Sequence, residues 1–263
     1  FIRQLDTAAG RTNQNRRRPA ANMAVLEISH PDIEAFINAK QTRGELRHFN
    51  LSVAVDDQFM ECVNSGRDYP LVHPGTGKAV GRRNAEEIFE RMASSAWQTG
   101  DPGLLFIDRI NRDNPLPGMG RICATNPCGE QPLLPYESCT LGSINLTKVV
   151  ENKEINFDEL DRLARTAVHF LDNVIEINHY PLGQIEEASR STRKIGLGVM
   201  GFADMLILLN IPYQSDRAVA VAGRIMSRIQ RSAEAESEAL ALVRDNFPCF
   251  DNSIFPKRGV RLR

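Results

Sequence analysis

The sequence predicts an α/β fold, on three observations. In the first half, short apolar runs alternate with stretches of helical periodicity, the pattern that layers strands against helices. The second half is mostly helical, led by an amphipathic segment at 156–178. The chain has 263 residues, 42% hydrophobic and 25% charged, enough for one large domain or two small ones.

The elements follow in order. Residues 1–9 read as the interior of a helix, and "RTNQNRRRPAAN" (11–22) as a polar, basic loop. "NMAVLEI" (22–28) is short and apolar, a buried strand. "SHPDIEAFINAKQTRG" opens a helix: Ser29 or His30 caps it, Pro31 suits its first turn, and Asp32 and Glu34 oppose the helix dipole. Ile33, Phe36 and Ile37 form its apolar face, and Gly44 lies beyond its end. "FNLSVAV" (49–55) is a second strand, and "DDQFMECVNSG" a short helix with Phe59, Met60 and Val63 inward. "YPLVHPGTGKAVGR" is a hairpin or loop. Asn84 and Glu87 form a capping pair for the helix "AEEIFERMASSAWQTG". Its apolar face carries Ile88, Phe89, Met92 and Trp97, and Gly100 stops it.

"GLLFID" (103–108) is a third apolar run, followed by the turn-rich "NRDNPLPGMGR". "SCTLGSINL" (138–146) reads as a fourth strand. Leu160, Leu163, Ala167, Leu171, Val174 and Ile175 recur at helical spacing. Further helices are expected over about 183–193, about 197–209, and from Ser215 or Asp216 to about Asn246. The most apolar stretch, "IGLGVMGFADMLILLN", reads as a buried helix. It is interrupted by Gly196, Gly198, Gly201 and Asp204, and no run in the chain reaches membrane-span length.

The net charge of −1 gives no electrostatic case for a nucleic-acid or membrane partner. The chain begins at Phe1 with no signal-peptide pattern, and both ends read as cut from a longer chain. Five cysteines, an odd number in a chain that needs no staples, point to a reducing, cytoplasmic setting.

Chemistry concentrates in "ATNPCGEQPLLPYESCTLGSINL" (124–146). In an extended backbone Asn126, Cys128 and Glu130 would face one site together, with Pro127 and Gly129 shaping the chain between them. An amide can fix a hydroxyl, a carboxylate can take its proton, and a thiol can react through sulfur. The same spacing also fits a loop around a buried structural cysteine. It fits, too, a cysteine nucleophile served by a distant histidine. A metal site from Cys123, Cys128 and Cys139 with His48 or His73 is disfavoured, because no C-x-x-C pair is present; no metal is expected.

The whole string "NPCGEQPLLPYESCTLGSINL" closely resembles the active-site loop and following strand of ribonucleotide reductases, in particular the adenosylcobalamin-dependent class II. "NMAVLEISHPDIEAFINAK", "HFNLSVAVDDQFM", "GLLFIDRIN" and "RKIGLGVMGFADML" resemble further segments of that family, in the family's order, so nearly the whole chain is covered. The resemblance implies part of a ten-stranded α/β barrel with a central finger loop. Residues 1–123 would be the first half-barrel, 124–137 the finger loop, and 138–263 the start of the second half-barrel, within one catalytic-barrel domain incomplete at both ends.

By resemblance, Cys128 is the thiyl-radical cysteine that removes the ribose 3′ hydrogen, with the radical generated by adenosylcobalamin. Glu130 takes the 3′-OH proton, and Asn126 hydrogen-bonds the substrate hydroxyls; residues 126–130 together bind the ribonucleotide. Cys139 is one of two cysteines that become a disulfide as the 2′-OH leaves as water. No other cysteine here suits the partner strand, so the partner is expected upstream of Phe1. Cys62, Cys123 and Cys249 are expected as small buried hydrophobes. Arg16, Arg17 and Arg18 match the region that senses a deoxynucleotide effector, although Pro19 departs from the family's usual loop. A thioredoxin- or glutaredoxin-type reductant and a homodimer are the further implied partners. The C-terminal "NFPCFDNSIFPKRGVRLR" resembles the segment just before the family's phosphate loop.

Overall fold

The computed structural model describes residues 1–12, 21–42 and 44–263. They divide into two compact units. One comprises 1–114 with 120–135; the other comprises 115–119 with 136–263.

The first unit opens with helix α1 (Ile2–Thr12) and strand β1 (Asn22–Glu27). Then come α2 (Ile33–Ile37), β2 (Phe49–Val55), α3 (Asp57–Asn64), the hairpin of β3 (Asp68–Val72) and β4 (Ala79–Asn84), α4 (Ala85–Thr99), β5 (Gly103–Phe106) and α5 (Ile107–Arg112). β1, β2 and β5 form a parallel sheet with β2 central; Asn22 pairs with Phe49 and Ser52 with Gly103. A central parallel strand is covered on both faces, and β2 is buried without a break from Leu51 to Val55, Ser52 included. Val53, Val55 and Phe59 pack with Ile33, Ile37, Ile88 and Met92 into one core.

Local capping chemistry sets the helix ends. The Asn84 Oδ1 accepts the Glu87 N–H at 3.1 Å, and Gly100 ends α4 in the left-handed region at φ 86°. Asp56 caps α3 by accepting the Phe59 N–H at 2.7 Å, and its other oxygen accepts the Tyr69 hydroxyl at 2.6 Å. Burial, reinforced by the Asp56 carboxylate, pushes the Tyr69 hydroxyl pKa well up.

Two expectations are corrected here. The first concerns α2, which starts only at Ile33 and has no side-chain cap. His30 instead accepts the Asp32 N–H at 3.0 Å in the preceding turn, and the Ser29 carbonyl accepts the Val72 N–H of the β3–β4 hairpin. The second is Trp97, which is 86% exposed. At 100° per residue it lies nearly opposite the arc of Ala85, Ile88, Met92 and Ser95 that α4 buries.

The second unit contains β8 (Thr140–Asn145), β9 (Val150–Glu151), β10 (Glu154–Ile155), α6 (Phe157–Ile177), α7 (Gly183–Thr192), β11 (Ile195–Met200), α8 (Phe202–Leu208) and α9 (Asp216–Arg244). The short β6 (Ala124–Thr125) and β7 (Pro132–Leu133) belong to the first unit. Asn156 caps α6 and Ser215 caps α9 through their side-chain oxygens. Leu146, Val149, Leu160, Ala164, Met205, Leu206, Ile225 and Ile229 form the core.

The helix expected over about 197–209 is in fact a strand followed by a helix. β11 pairs in parallel with β8, from Ile195 opposite Thr140 to Met200 opposite Asn145. Gly196 and Gly198 disfavour a helix and a strand alike, so the pairing with β8 decides between them, and Gly201 makes the break. Its φ is 71°, and a Cβ there would lie 2.8 Å from the Asn145 Oδ1, so only glycine fits.

Candidate active site

The loop that carries Cys128 is a small hairpin. β6 and β7 pair antiparallel, Ala124 opposite Leu133 and Thr125 opposite Pro132. Its entry is pinned from α5. The Asn111 Nδ2 donates to the Ile107 and Ile122 carbonyls, both at 2.9 Å, and its Oδ1 accepts the Ile122 N–H at 2.8 Å. Buried Asn114 donates to the Gly120 carbonyl at 3.0 Å.

The tip is a reverse turn rather than the extended run that alternation predicts. The Gly129 N–H donates to the Asn126 carbonyl at 3.0 Å, closing a four-residue turn, and Gly129 sits at φ 84°. The reason lies in the residue types. Asparagine at the first position, proline at the second and glycine at the fourth are what such a turn favours. Asn126 also staples the turn: its N–H donates to the Gln131 carbonyl at 3.2 Å, and its Oδ1 accepts the Gln131 N–H at 3.0 Å. Among the described residues its Nδ2 makes no hydrogen bond. Cys128 occupies the third corner of the turn, and both it and Glu130 are exposed, whereas Asn126 and Pro127 are half-buried. From the sheet, the Asn50 Nδ2 donates to the Pro127 carbonyl at 2.8 Å.

Cys139 is in the second unit, one residue before β8, and is half-buried with its Sγ 3.9 Å from the Thr140 carbonyl. Its strand is anchored at the start. The Thr140 N–H donates to the Lys194 carbonyl at 3.3 Å, and the Lys194 Nζ pairs with buried Glu137 at 2.6 Å. Immediately before Lys194, the Arg193 guanidinium is buried. It donates to the Asp172 carboxylate at 2.9 and 2.6 Å and to the Asp172 carbonyl at 2.9 Å, and it also pairs with Glu176. Asp172 in turn accepts from Arg244 at 2.8 Å.

All five cysteines lie among the described residues, and none is in a disulfide. Cys62 is buried on α3, as expected. Cys123 is exposed, which corrects the buried reading; the neighbouring Ile122 takes the buried position, and the Cys123 Sγ lies 3.5 Å from the Arg121 carbonyl. Cys249 is only half-buried. Arg16, Arg17 and Arg18 lie outside the described residues.

The pinned hairpin thus exposes a free thiol at Cys128 and, two residues on, the Glu130 carboxylate. The family profile described as "Ribonucleotide reductase, barrel domain" matches residues 1–261. The chain belongs to the ribonucleotide reductase barrel-domain family. It is 52% identical over 262 residues to a vitamin B12-dependent ribonucleoside-diphosphate reductase of Mycobacterium tuberculosis, covering 99% of this chain and 38% of that protein. The protein of the same name from Thermoplasma acidophilum is 47% identical over 265 residues, covering 100% and 34%. A vitamin B12-dependent ribonucleotide reductase of Streptomyces clavuligerus is 31% identical over 289 residues, covering 99% and 30%. The chain thus spans about a third of the length of these relatives.

Within this reductase segment the α/β reading and the mostly helical second half are borne out. Sequence reasoning missed Asn50, Asn111 and Asn114, which hold the loop. The turn itself was signalled by the Asn-Pro dipeptide followed two residues later by glycine. The Asp172–Arg193 pair left no such signal, since its members are 21 residues apart.

Proposed function

We propose that residues 1–263 supply the reactive-cysteine loop of an adenosylcobalamin-dependent ribonucleotide reductase, and that they form part of one catalytic-barrel domain. The observation that supports this best is the hairpin tip, which presents Cys128 exposed and undisulfided, with Glu130 exposed two residues on. The substrate is a ribonucleoside diphosphate, in keeping with the relatives' names. The donor set fits the cofactor, because a bulky group that must meet a thiol needs that thiol at an exposed tip. Adenosylcobalamin, when bound, supplies the radical by homolysis of its cobalt–carbon bond.

The chain's own residues do the rest. Cys128, once its sulfhydryl hydrogen atom has passed to the radical that the cofactor would supply, takes the ribose 3′ hydrogen atom and returns it to C3′ after the 2′ carbon is reduced. Glu130 accepts the 3′-OH proton. The Asn126 Nδ2 donates to a substrate hydroxyl while its Oδ1 keeps the turn closed. Cys139 and a second cysteine supply two electrons and two protons as the 2′-OH leaves as water, and they end as a disulfide. A thioredoxin- or glutaredoxin-type protein reduces that disulfide. A deoxynucleotide effector is sensed by the region of Arg16, Arg17 and Arg18, and the working enzyme is a homodimer in the cytoplasm.

The test is reduction of a ribonucleoside diphosphate by the full-length protein carrying these residues, with adenosylcobalamin and a dithiol. Deoxynucleotide is expected only when both are present. Turnover without adenosylcobalamin, or only with a second metalloprotein, would overturn the proposal.

A further inference from the structure

Resting on that reading of Cys128, we propose that Asn50 is a positioning residue that aims the reactive cysteine. The Asn50 Nδ2 donates to the Pro127 carbonyl at 2.8 Å. That carbonyl and the Cys128 N–H belong to one planar peptide unit. Fixing the oxygen therefore fixes the plane from which the Cys128 Cα departs. Among the described residues, the other hydrogen bonds of the turn at 126–131 run within the hairpin itself: Gly129 to the Asn126 carbonyl, the Thr125 hydroxyl to the same carbonyl, Asn126 to Gln131, and Gln131 to the Asn126 side chain. Among the described residues these close the turn without saying where it points. Asn50 connects it to the sheet.

The platform beneath Asn50 is well held. Asn50 is on β2, the central strand, with Phe49 and Leu51 on either side of it buried. The Leu51 N–H donates to the Asp101 Oδ1 at 2.9 Å, and the other Asp101 oxygen accepts Lys40 at 2.8 Å. The entry of the loop is held separately by Asn111 and Asn114. The loop is thus tied at its base by α5 and at its tip by β2.

The acceptor is a carbonyl, so the partner must donate. An asparagine amide does this, and an aspartate of the same shape cannot. At an exposed strand position one hydrogen bond adds little to stability, because water replaces it. Its value lies in geometry, where a shift of about 1 Å at a reacting atom costs on the order of a hundredfold in rate.

The experiment compares wild type, Asn50→Asp and Asn50→Gln in the full-length protein. Asn50→Asp is expected to lower kcat about 10- to 100-fold, leaving KM and Tm unchanged, while Asn50→Gln, which keeps the donor, retains the greater activity. A second readout needs no turnover: the rate at which iodoacetamide alkylates Cys128, followed by peptide mass spectrometry. It should change in Asn50→Asp and stay near wild type in Asn50→Gln. Wild-type kcat in Asn50→Asp, or a loss of activity that tracks a fall in Tm equally in both variants, overturns the positioning role. An inactive wild type whose Cys128 alkylation still depends on Asn50 counts against the proposed reaction, and leaves the anchoring of the tip supported.

Discussion

Replacing Asp172 by alanine should be among the most damaging single changes to the second unit. The Asp172 side chain is 5% exposed and that of Arg193 2%. Removing the carboxylate strips Arg193 of two charge-assisted bonds and Arg244 of one. Breaking a buried pair from one side costs about 3–5 kcal/mol, because the remaining charge is left without its partner. Glu176, which also pairs with Arg193, is 45% exposed and offsets part of this, so the low end, about 3 kcal/mol, is expected. At roughly 2–4 °C per kcal/mol the melting temperature should fall by roughly 6–12 °C. Arg190→Ala is the control: it breaks surface pairs with Glu176 and Glu186 and should cost less than about 1 kcal/mol. The double change Asp172→Leu with Arg193→Met removes both charges and should recover at least half of the loss. Thermal melting followed by circular dichroism reads all of these. A shift for Asp172→Ala no larger than that of Arg190→Ala would refute the reasoning. The consequence reaches Cys139 within the same unit, since Arg193 precedes Lys194, whose carbonyl accepts the Thr140 N–H at the start of the β11–β8 pairing.

Two further changes test separate elements. Gly201→Ala should destabilise by about 2–4 kcal/mol, from the left-handed backbone and the collision with Asn145; Gly198→Ala, where the added Cβ meets its nearest neighbour at 3.7 Å, should cost no more than about 1 kcal/mol by the same melting assay. Asp161 is held below the usual carboxylate range, chiefly by the hydrogen bond from Arg228, with Ser232 adding and burial opposing. A lowered folded pKa gives stability that is present above the ordinary value of 3.8 and is lost as pH falls below it. Asp161→Asn should therefore lower stability at pH 7 and leave it less sensitive to acid between pH 7 and 3, read by urea unfolding at both pH values.

Much of the fold is legible because local rules and tertiary structure agree. Asn84, Asn156 and Ser215 cap helices whose apolar spacing already marks them. β2 reads as a strand because Phe49, Leu51, Val53 and Val55 recur at every second position, and all four are buried. Legibility fails where periodicity is ambiguous. An apolar run rich in glycine fits a buried helix or a strand, and only the pairing of β11 with β8 decides it. Trp97 reads as part of the apolar face of its helix together with Ile88, Phe89 and Met92, but its angle on α4 puts it in solvent. At the site, the residue types pointed to the chemistry, but alternation was mistaken for an extended strand when Asn126, Pro127 and Gly129 were specifying a turn. Asn50 was invisible because a polar residue on a strand has no local mark of the loop it holds, 77 residues away.

The central claim is that Cys128 performs the chemistry from the tip of a hairpin whose stability does not depend on it. Cys128→Ser in the full-length protein, assayed for deoxynucleotide formation with adenosylcobalamin and dithiol and melted in parallel, tests this most directly. The side chain is exposed, and among the described residues it makes no hydrogen bond, so the melting temperature should match wild type while turnover disappears. Turnover within tenfold of wild type would contradict the account, as would a loss of activity matched by a loss of folding.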